Sequence, residues 1–221
     1  MSAETPQERH APLLPTRLLV PWAALLSAAL AIAIGLGVQG ADYPTPFAIA
    51  HALRLLVGAE LFFLLVLVPL PAANSRGQPR LLHMVLLVCL GAPAVVVAAW
   101  VSDAALPQAI ASQAYLAAAA LFVAAFLRAD RTGGFLGWYW VALGALGAGG
   151  PFVAFIAEDL LRAKVDWVYA LSPFWVADRL CRVEGFGWEW AAPSAALLLL
   201  AAALFALPPR SRSPHGSQAQ Q

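Results

Sequence analysis

The chain has 221 residues, of which 62% are hydrophobic and 11% are charged, and its formal net charge is +1. Soluble globular proteins contain roughly 25% charged residues, so this composition indicates an integral membrane protein. The small net charge offers no basic field for nucleic acid, and nucleic acid is therefore not expected as a partner.

Six apolar runs lie between two polar tails, and each approaches the roughly 20 residues that cross a bilayer. Residues 1–17 are expected to form a cytoplasmic tail, and residues 208–221 a disordered cytoplasmic tail. The first run exceeds the roughly 7–15 apolar residues of a signal peptide, which favours an uncleaved anchor over a cleaved leader. The sequence predicts an all-α membrane domain over residues 18–207 with the following spans: 18–40, 47–70, 81–101, 108–127, 135–157 and 190–207.

The distribution of basic residues predicts the orientation. Each tail has two, the connections after the second and fourth spans have two each, and those after the first and third have none. The positive-inside rule then places both termini in the cytoplasm. Residues 158–189 become extracytoplasmic, although they carry four basic residues. Because all but one of the 13 basic residues are arginine and alanine is abundant, we expect a bacterial inner membrane protein.

The second span contains the ionisable residues His51, Arg54 and Glu60. Glu60 lies near the middle of the predicted span, where a charge is costly, so it should face the interior of the bundle, be paired with another group, or be protonated. It is either a substrate-path or gating contact, or a packing hydrogen bond to another helix. Arg54 and His51 lie nearer the outer face and are interpreted as headgroup anchors.

The fifth span is rich in glycine. Gly144 and Ala148 form a small-xxx-small pattern, which allows close approach of two helices. We interpret it as packing within the bundle, with a dimer seam or a flexible point near Pro151 as the alternatives.

Residues 158–189 mix charged and aromatic side chains with helix signals. Glu158, Arg162 and Asp166 are spaced as i,i+4 pairs on the polar face of a short helix. A second helix is predicted to begin at an N-cap serine followed by proline, with one apolar face and one charged face. We expect this amphipathic pair to enter the outer membrane face or to lie on it. The candidate site residues of the second helix are Ser172, Pro173, Phe174, Asp178, Arg179 and Arg182.

Six spans with an amphipathic helical pair before the last resemble the permease subunits of type 2 ABC exporters. Residues 169–180, YALSPFWVADRL, are similar to a Ser-Pro or Asn-Pro stretch of that family, notably of the members linked to multicopper-enzyme maturation. The resemblance implies a separate ATP-binding subunit and a homo- or heterodimer of permease chains. It also implies that Arg76 and Gly77, in the connection after the second span, couple to the ATPase. The acids and the threonine usual there are replaced by Ala73, Ser75 and Gln78.

The chain has no P-loop, no nucleophile elbow and no cluster of metal ligands. No enzyme activity, metal or cofactor is therefore indicated, and any ATPase would be another polypeptide. Two functions remain: a transporter permease, or a non-transporting scaffold or assembly factor that docks a partner through residues 158–189.

Overall fold

The computed structural model describes residues 15–38, 51–72, 81–130, 134–159, 162, 166–182 and 188–207. Within these ranges all regular structure is helical, without a strand. Two π-helical turns, Phe63–Leu67 and Ala145–Gly149, link α2 to α3 and α6 to α7. The helices are α1 (Thr16–Val38), α2 (Ala52–Phe62), α3 (Pro69–Ala72), α4 (Leu81–Val101), α5 (Leu106–Ala129), α6 (Leu136–Gly144), α7 (Gly150–Asp159), α8 (Asp166–Tyr169), α9 (Pro173–Leu180) and α10 (Trp188–Ala206).

Four helical stretches are long and apolar enough to cross a membrane: Thr16–Ile34, Leu81–Val101, Leu106–Ala129 and Leu136–Asp159. The all-helical membrane class is thus confirmed at the level of four candidate spans. The predicted second and sixth spans also form helices, α2 to α3 and α10. That they cross the bilayer, and that both termini are cytoplasmic, remain predictions.

α5 is the centre of the bundle. Buried residues make up 61% of its apolar window, against 6% for Leu136–Asp159. α4 and α10 pack along α5, while α1 packs on α2. Many of the buried side chains of α5 are alanines, and such small side chains let neighbouring helices approach closely. The helix formed by α6 and α7, in contrast, lies at the edge of the bundle, with most of its surface exposed.

Each π-helical turn is followed closely by a proline, Pro69 or Pro151. A proline has no N–H, so in an α-helical pattern the carbonyl four residues earlier loses its donor. The carbonyls concerned belong to Leu65 and Gly147. Because a bilayer offers no water to such groups, side chains from neighbouring segments must satisfy them.

Two hydroxyl groups satisfy these carbonyls. Tyr139 on α6 donates to the Leu65 carbonyl oxygen at 2.6 Å. Ser172, at the start of α9, donates to the Gly147 carbonyl oxygen at 3.2 Å. The first bond attaches α6 to the π-helical turn between α2 and α3. The second attaches α9 to the π-helical turn between α6 and α7. Both hydrogen bonds thus join segments that are far apart in sequence.

The short helix predicted to carry Glu158, Arg162 and Asp166 on one face is not present. α7 ends at Asp159, and Arg162 has a φ of +52°. This left-handed conformation is incompatible with a continuing right-handed helix. Glu158 instead accepts a hydrogen bond from the Tyr169 hydroxyl at 3.1 Å.

We expect Tyr139→Phe to lower the free energy of unfolding by about 1–3 kcal/mol, because it leaves the Leu65 carbonyl buried without a donor. Thermal unfolding in mild detergent would measure the loss. Tyr169→Phe is the control at a more exposed site: Tyr169 and Glu158 are both partly exposed, so water can replace the lost donor and the effect should stay below about 1 kcal/mol. Equal effects of the two substitutions would contradict a special role for the Leu65 carbonyl.

Candidate functional site

The amphipathic helix α9 is docked on the bundle. Ser172 is its N-cap, with the hydroxyl oxygen accepting from the Trp175 N–H at 3.5 Å, and Pro173 occupies the first turn, as predicted. The apolar residues Val176, Ala177 and Leu180 are buried. They pack into the same core as α2 and α5. α9 is therefore packed into the core of the helical bundle and is not a loosely attached lid.

Two polar contacts attach the ends of α9 to α5. Near its start, the Tyr115 hydroxyl donates to the Pro173 carbonyl oxygen at 3.3 Å. At its end, Ser112 Oγ lies 3.4 Å from Cys181 Sγ, and both side chains are buried. Burial raises the pKa of the Cys181 thiol to about 11. Because the contacts lie at both ends, they hold α9 in one orientation along α5.

The charged face of α9 meets the beginning of α2. Arg54 Nε lies 3.6 Å from Asp178 Oδ1, and Arg182 Nη2 lies 2.5 Å from Asp178 Oδ2. Arg54 Nη1 is also 3.2 Å from His51 Nε2. Instead of serving only as a headgroup anchor, Arg54 pairs with the amphipathic segment. Partly exposed ion pairs contribute at most about 1 kcal/mol, so this cluster orients α9 more than it stabilises it.

Arg179 occupies the exposed side of α9. Its guanidinium carbon lies 5.5 Å from the centre of the Trp175 ring. Trp175 in turn stacks on Tyr169, with 5.1 Å between the ring centres. The stack connects α8 to α9 and presents a cationic and aromatic surface on the helical pair.

In the helix formed by α6 and α7, the residues in close contact with other segments are Gly147 and Gly150, not the predicted pair Gly144 and Ala148. A Cβ at Gly147 would lie 3.6 Å from the Phe174 ring, and a Cβ at Gly150 would lie 3.4 Å from the Val168 carbonyl oxygen. A Cβ at Gly144 would meet open space, and Ala148 is exposed. The interpretation of Gly144 and Ala148 as packing within the bundle is therefore wrong for this chain on its own. Their side of the helix remains available to another molecule.

Glu60 lies at the contact between α2 and α4. Its side chain is 0% exposed, and neither carboxylate oxygen has a hydrogen-bond partner in the described part of the chain. A Cβ at Gly91 would lie 2.5 Å from Glu60 Oε1. The predicted inward orientation is present, but no described residue supplies the interhelical hydrogen bond of the packing interpretation.

A second polar side chain, Gln113, contacts α4 about one helical turn from the Glu60 contact. Gln113 on α5 donates from Nε2 to the Val88 carbonyl oxygen at 2.8 Å, and its buried Oε1 has no partner among the described residues. Val88 and Gly91 are three residues apart, on one face of the helix. Glu60 and Gln113 thus each bring an acceptor oxygen without a described partner to α4, about one helical turn apart.

An apolar groove runs between α5, α6 and α10. It consists of two adjoining cavities of about 340 Å³ and 670 Å³. Both are lined by Phe122, Tyr139 and Ala142, so the cavities meet at these side chains. Besides these helices, Pro173 and Val176 of α9 line the smaller cavity. Tyr139 both lines the groove and donates to the Leu65 carbonyl oxygen.

The candidate coupling residues Arg76 and Gly77 lie outside the described residues. Over the ranges that are described, His, Cys, Asp and Glu side chains form no group of three that could hold a metal ion. No protein-family model, curated protein or solved structure matches the chain.

Sequence reasoning missed the hydroxyl contacts to Leu65 and Gly147 and the Arg54–Asp178 pair. Pro69 and Pro151 were visible signals, since a proline inside an apolar run marks a carbonyl four residues earlier that needs another donor. The sequence could locate these carbonyls but not their partners. The partners lie 74 and 25 residues away along the chain.

We expect Gly91→Ala to destabilise the protein by about 1–3 kcal/mol, because the new methyl group would overlap the buried Glu60 carboxylate. Gly58→Ala is the control: its Cβ would meet no atom within 4 Å, so the helical preference of alanine should give a gain of up to about 1 kcal/mol. The loss should shrink when Gly91→Ala is made together with Glu60→Ala. An unchanged loss in the double variant would exclude this contact.

In a Cys89→Ser background, we expect slow maleimide labelling of Cys181 at pH 7, because the reactive thiolate is scarce well below a pKa of about 11. The labelling rate should rise roughly tenfold per pH unit towards that pKa. Ser172→Ala should increase the rate several-fold by loosening α9. Ser102→Ala, which removes bonds only to carbonyls of its own helix, should not. Fast labelling of the unmodified background at pH 7 would contradict the docked position of α9.

Proposed function

We propose that this chain is the membrane-spanning permease subunit of an ABC-type exporter and works with a separate ATPase subunit. The observation that carries the proposal is the docked pair α8 and α9 between the last two membrane helices. Such a pair is the feature by which the sequence resembles type 2 ABC exporters. In this proposal, both termini and residues 73–80 are cytoplasmic, and the protein resides in a bacterial inner membrane.

The interrupted membrane helices support a transport role. The second and fifth membrane helices each contain a π-helical turn and a proline, and π-helical turns often occur at functional sites. Transporters commonly build their substrate and ion sites from discontinuous helices, because the ends of the half-helices and the unwound backbone can contact the transported group. Here the breaks lie where α6 and α9 are attached, so a movement of α9 would be transmitted to the fifth helix through Ser172.

Glu60 supports the same role. Ionisable side chains in a membrane interior are costly, and they often mark substrate or ion pathways. Glu60 combines complete burial with two carboxylate oxygens that no described group satisfies. We assign it to the substrate path or its gate, next to Gly91 on α4.

The exposed side of α6 and α7 supports assembly with a second permease chain. Gly144 and Ala148 lie there without covering side chains, and small residues are common where membrane helices from two chains meet. A homodimer or a heterodimer would place the fifth helices together along a translocation route. Arg76 and Gly77 would contact the ATPase from each chain.

The alternative is a scaffold or assembly factor that does not transport. The surface formed by Arg179, Arg182 and the Trp175–Tyr169 stack favours it, because cationic and aromatic groups are common in protein-binding hot spots. This function would require α8 and α9 but no ATPase.

The deciding experiment is purification of the tagged full-length chain in mild detergent, followed by mass spectrometry and sizing of the complex. We expect a P-loop ATPase to copurify with two permease chains. Arg76→Ala together with Gly77→Ala should remove the ATPase, whereas Arg210→Ala in the carboxyl tail should retain it. A chain that purifies without any ATPase, or only with extracytoplasmic proteins, would overturn the exporter and favour the scaffold.

A further inference from the structure

The groove between α5, α6 and α10 has the dimensions of a lipid chain. Along α5 it runs from Tyr115 to Asp130, which corresponds to about 22 Å at 1.5 Å per residue. One leaflet of hydrocarbon is roughly 15 Å thick, half of the core. A complete acyl chain can therefore lie in the groove with its headgroup at one end.

The lining decides what the groove can hold. Apart from Asp130, the lining consists of aliphatic, aromatic and proline side chains. The hydroxyl groups of Tyr115 and Tyr139 already donate to carbonyl oxygens. Such a surface favours a hydrocarbon chain and offers no polar partners to a hydrophilic solute.

Asp130 gives one end of the groove a specific polar group. The side chain is 6% exposed and lines the larger cavity. Its Oδ2 accepts from the Phe135 N–H at 3.1 Å, while the buried Oδ1 has no hydrogen-bond partner among the described residues. A carboxylate oxygen in this position calls for a donor, and a cationic donor suits it best.

The residues around the Asp130 end of the groove are typical of the lipid headgroup region. Arg128, two residues before Asp130, is exposed, with its guanidinium carbon 5.3 Å from the centre of the Phe205 ring on α10. Trp138, which lines the larger cavity, is 72% exposed. Arginine and tryptophan are typical of the boundary between hydrocarbon and headgroups. A cation and an unpartnered carboxylate oxygen at one end complement a zwitterionic headgroup.

We propose that the groove binds one phospholipid with a primary ammonium headgroup, of the phosphatidylethanolamine class. One acyl chain lies between α5, α6 and α10, the ammonium group pairs with the Asp130 carboxylate, and the phosphate contacts Arg128. Phosphatidylcholine has no N–H to donate, and phosphatidylglycerol has no cation. The site goes beyond the proposed transport function and does not depend on an ATPase partner.

Native mass spectrometry of the delipidated full-length chain would test this proposal. Phosphatidylethanolamine, phosphatidylcholine and phosphatidylglycerol with identical acyl chains are offered at equal concentration. We expect one phosphatidylethanolamine to be retained, with roughly tenfold preference over phosphatidylcholine from one charge-assisted hydrogen bond. Equal retention of the three lipids, or strongest retention of phosphatidylglycerol, would overturn the proposal.

Two pairs of variants distinguish recognition of the lipid headgroup from binding of the acyl chain. Asp130→Asn keeps an acceptor for the Phe135 N–H but removes the charge, so the preference for phosphatidylethanolamine should disappear. Asp103→Asn, in the turn between α4 and α5, is the matched control and should keep it. Ala142→Trp, where the two cavities meet, should abolish retention of all three lipids, whereas Val141→Trp on the exposed side should not.

Survival of the headgroup preference in Asp130→Asn, or of lipid retention in Ala142→Trp, would exclude this groove as the site. Both variants are compared with their controls by size-exclusion chromatography and thermal unfolding before the lipid measurement. The result is independent of copurification of an ATPase, so failure of the exporter proposal leaves this outcome unaffected.

Discussion

The structure depends on the hydrogen bonds that complete its two interrupted helices, α2 to α3 and α6 to α7. Inside a bilayer, a backbone carbonyl without a donor cannot turn to water. The Leu65 and Gly147 carbonyls lose their α-helical donors to Pro69 and Pro151, and the hydroxyl groups of Tyr139 and Ser172 replace them. Each replacement is also a tertiary contact, since the donor belongs to a distant segment. The two bonds therefore join α6 to the turn between α2 and α3, and α9 to the turn between α6 and α7.

The remaining architecture follows from those positions. With α9 attached at Ser172, its apolar face closes over α2 and α5, and its charged face meets Arg54 through Asp178. The Tyr139 ring, whose hydroxyl donates to the Leu65 carbonyl oxygen, lines the apolar groove next to α10.

The two proposals rest on different features, although Pro173 and Val176 of α9 also line one end of the groove. The exporter function rests on the interrupted helices, Glu60 and the docked pair α8 and α9. The lipid site rests on the groove and its polar end at Arg128 and Asp130. A bound lipid would cover apolar surface between α6 and α10 that the protein alone leaves open, and this would stabilise the fifth membrane helix whether or not a second chain packs against it. Tyr139 belongs to both features. Its hydroxyl donates to the Leu65 carbonyl oxygen between α2 and α3, and its ring lines the groove.

The sequence by itself determined the membrane class, the apolar runs, the inward position of Glu60 and the start of α9 at Ser172 and Pro173. These features follow from composition, local capping and the cost of burying a charge, which act over a few residues. Only the tertiary structure decided that Arg54 pairs with Asp178, that Gly147 and Gly150 rather than Gly144 take close contacts, and that Glu158 and Arg162 do not share a helix. It also placed Asp130 at the end of a groove. These outcomes depend on which distant segments meet, because a local pattern specifies the surface that a helix offers but not the neighbour that covers it.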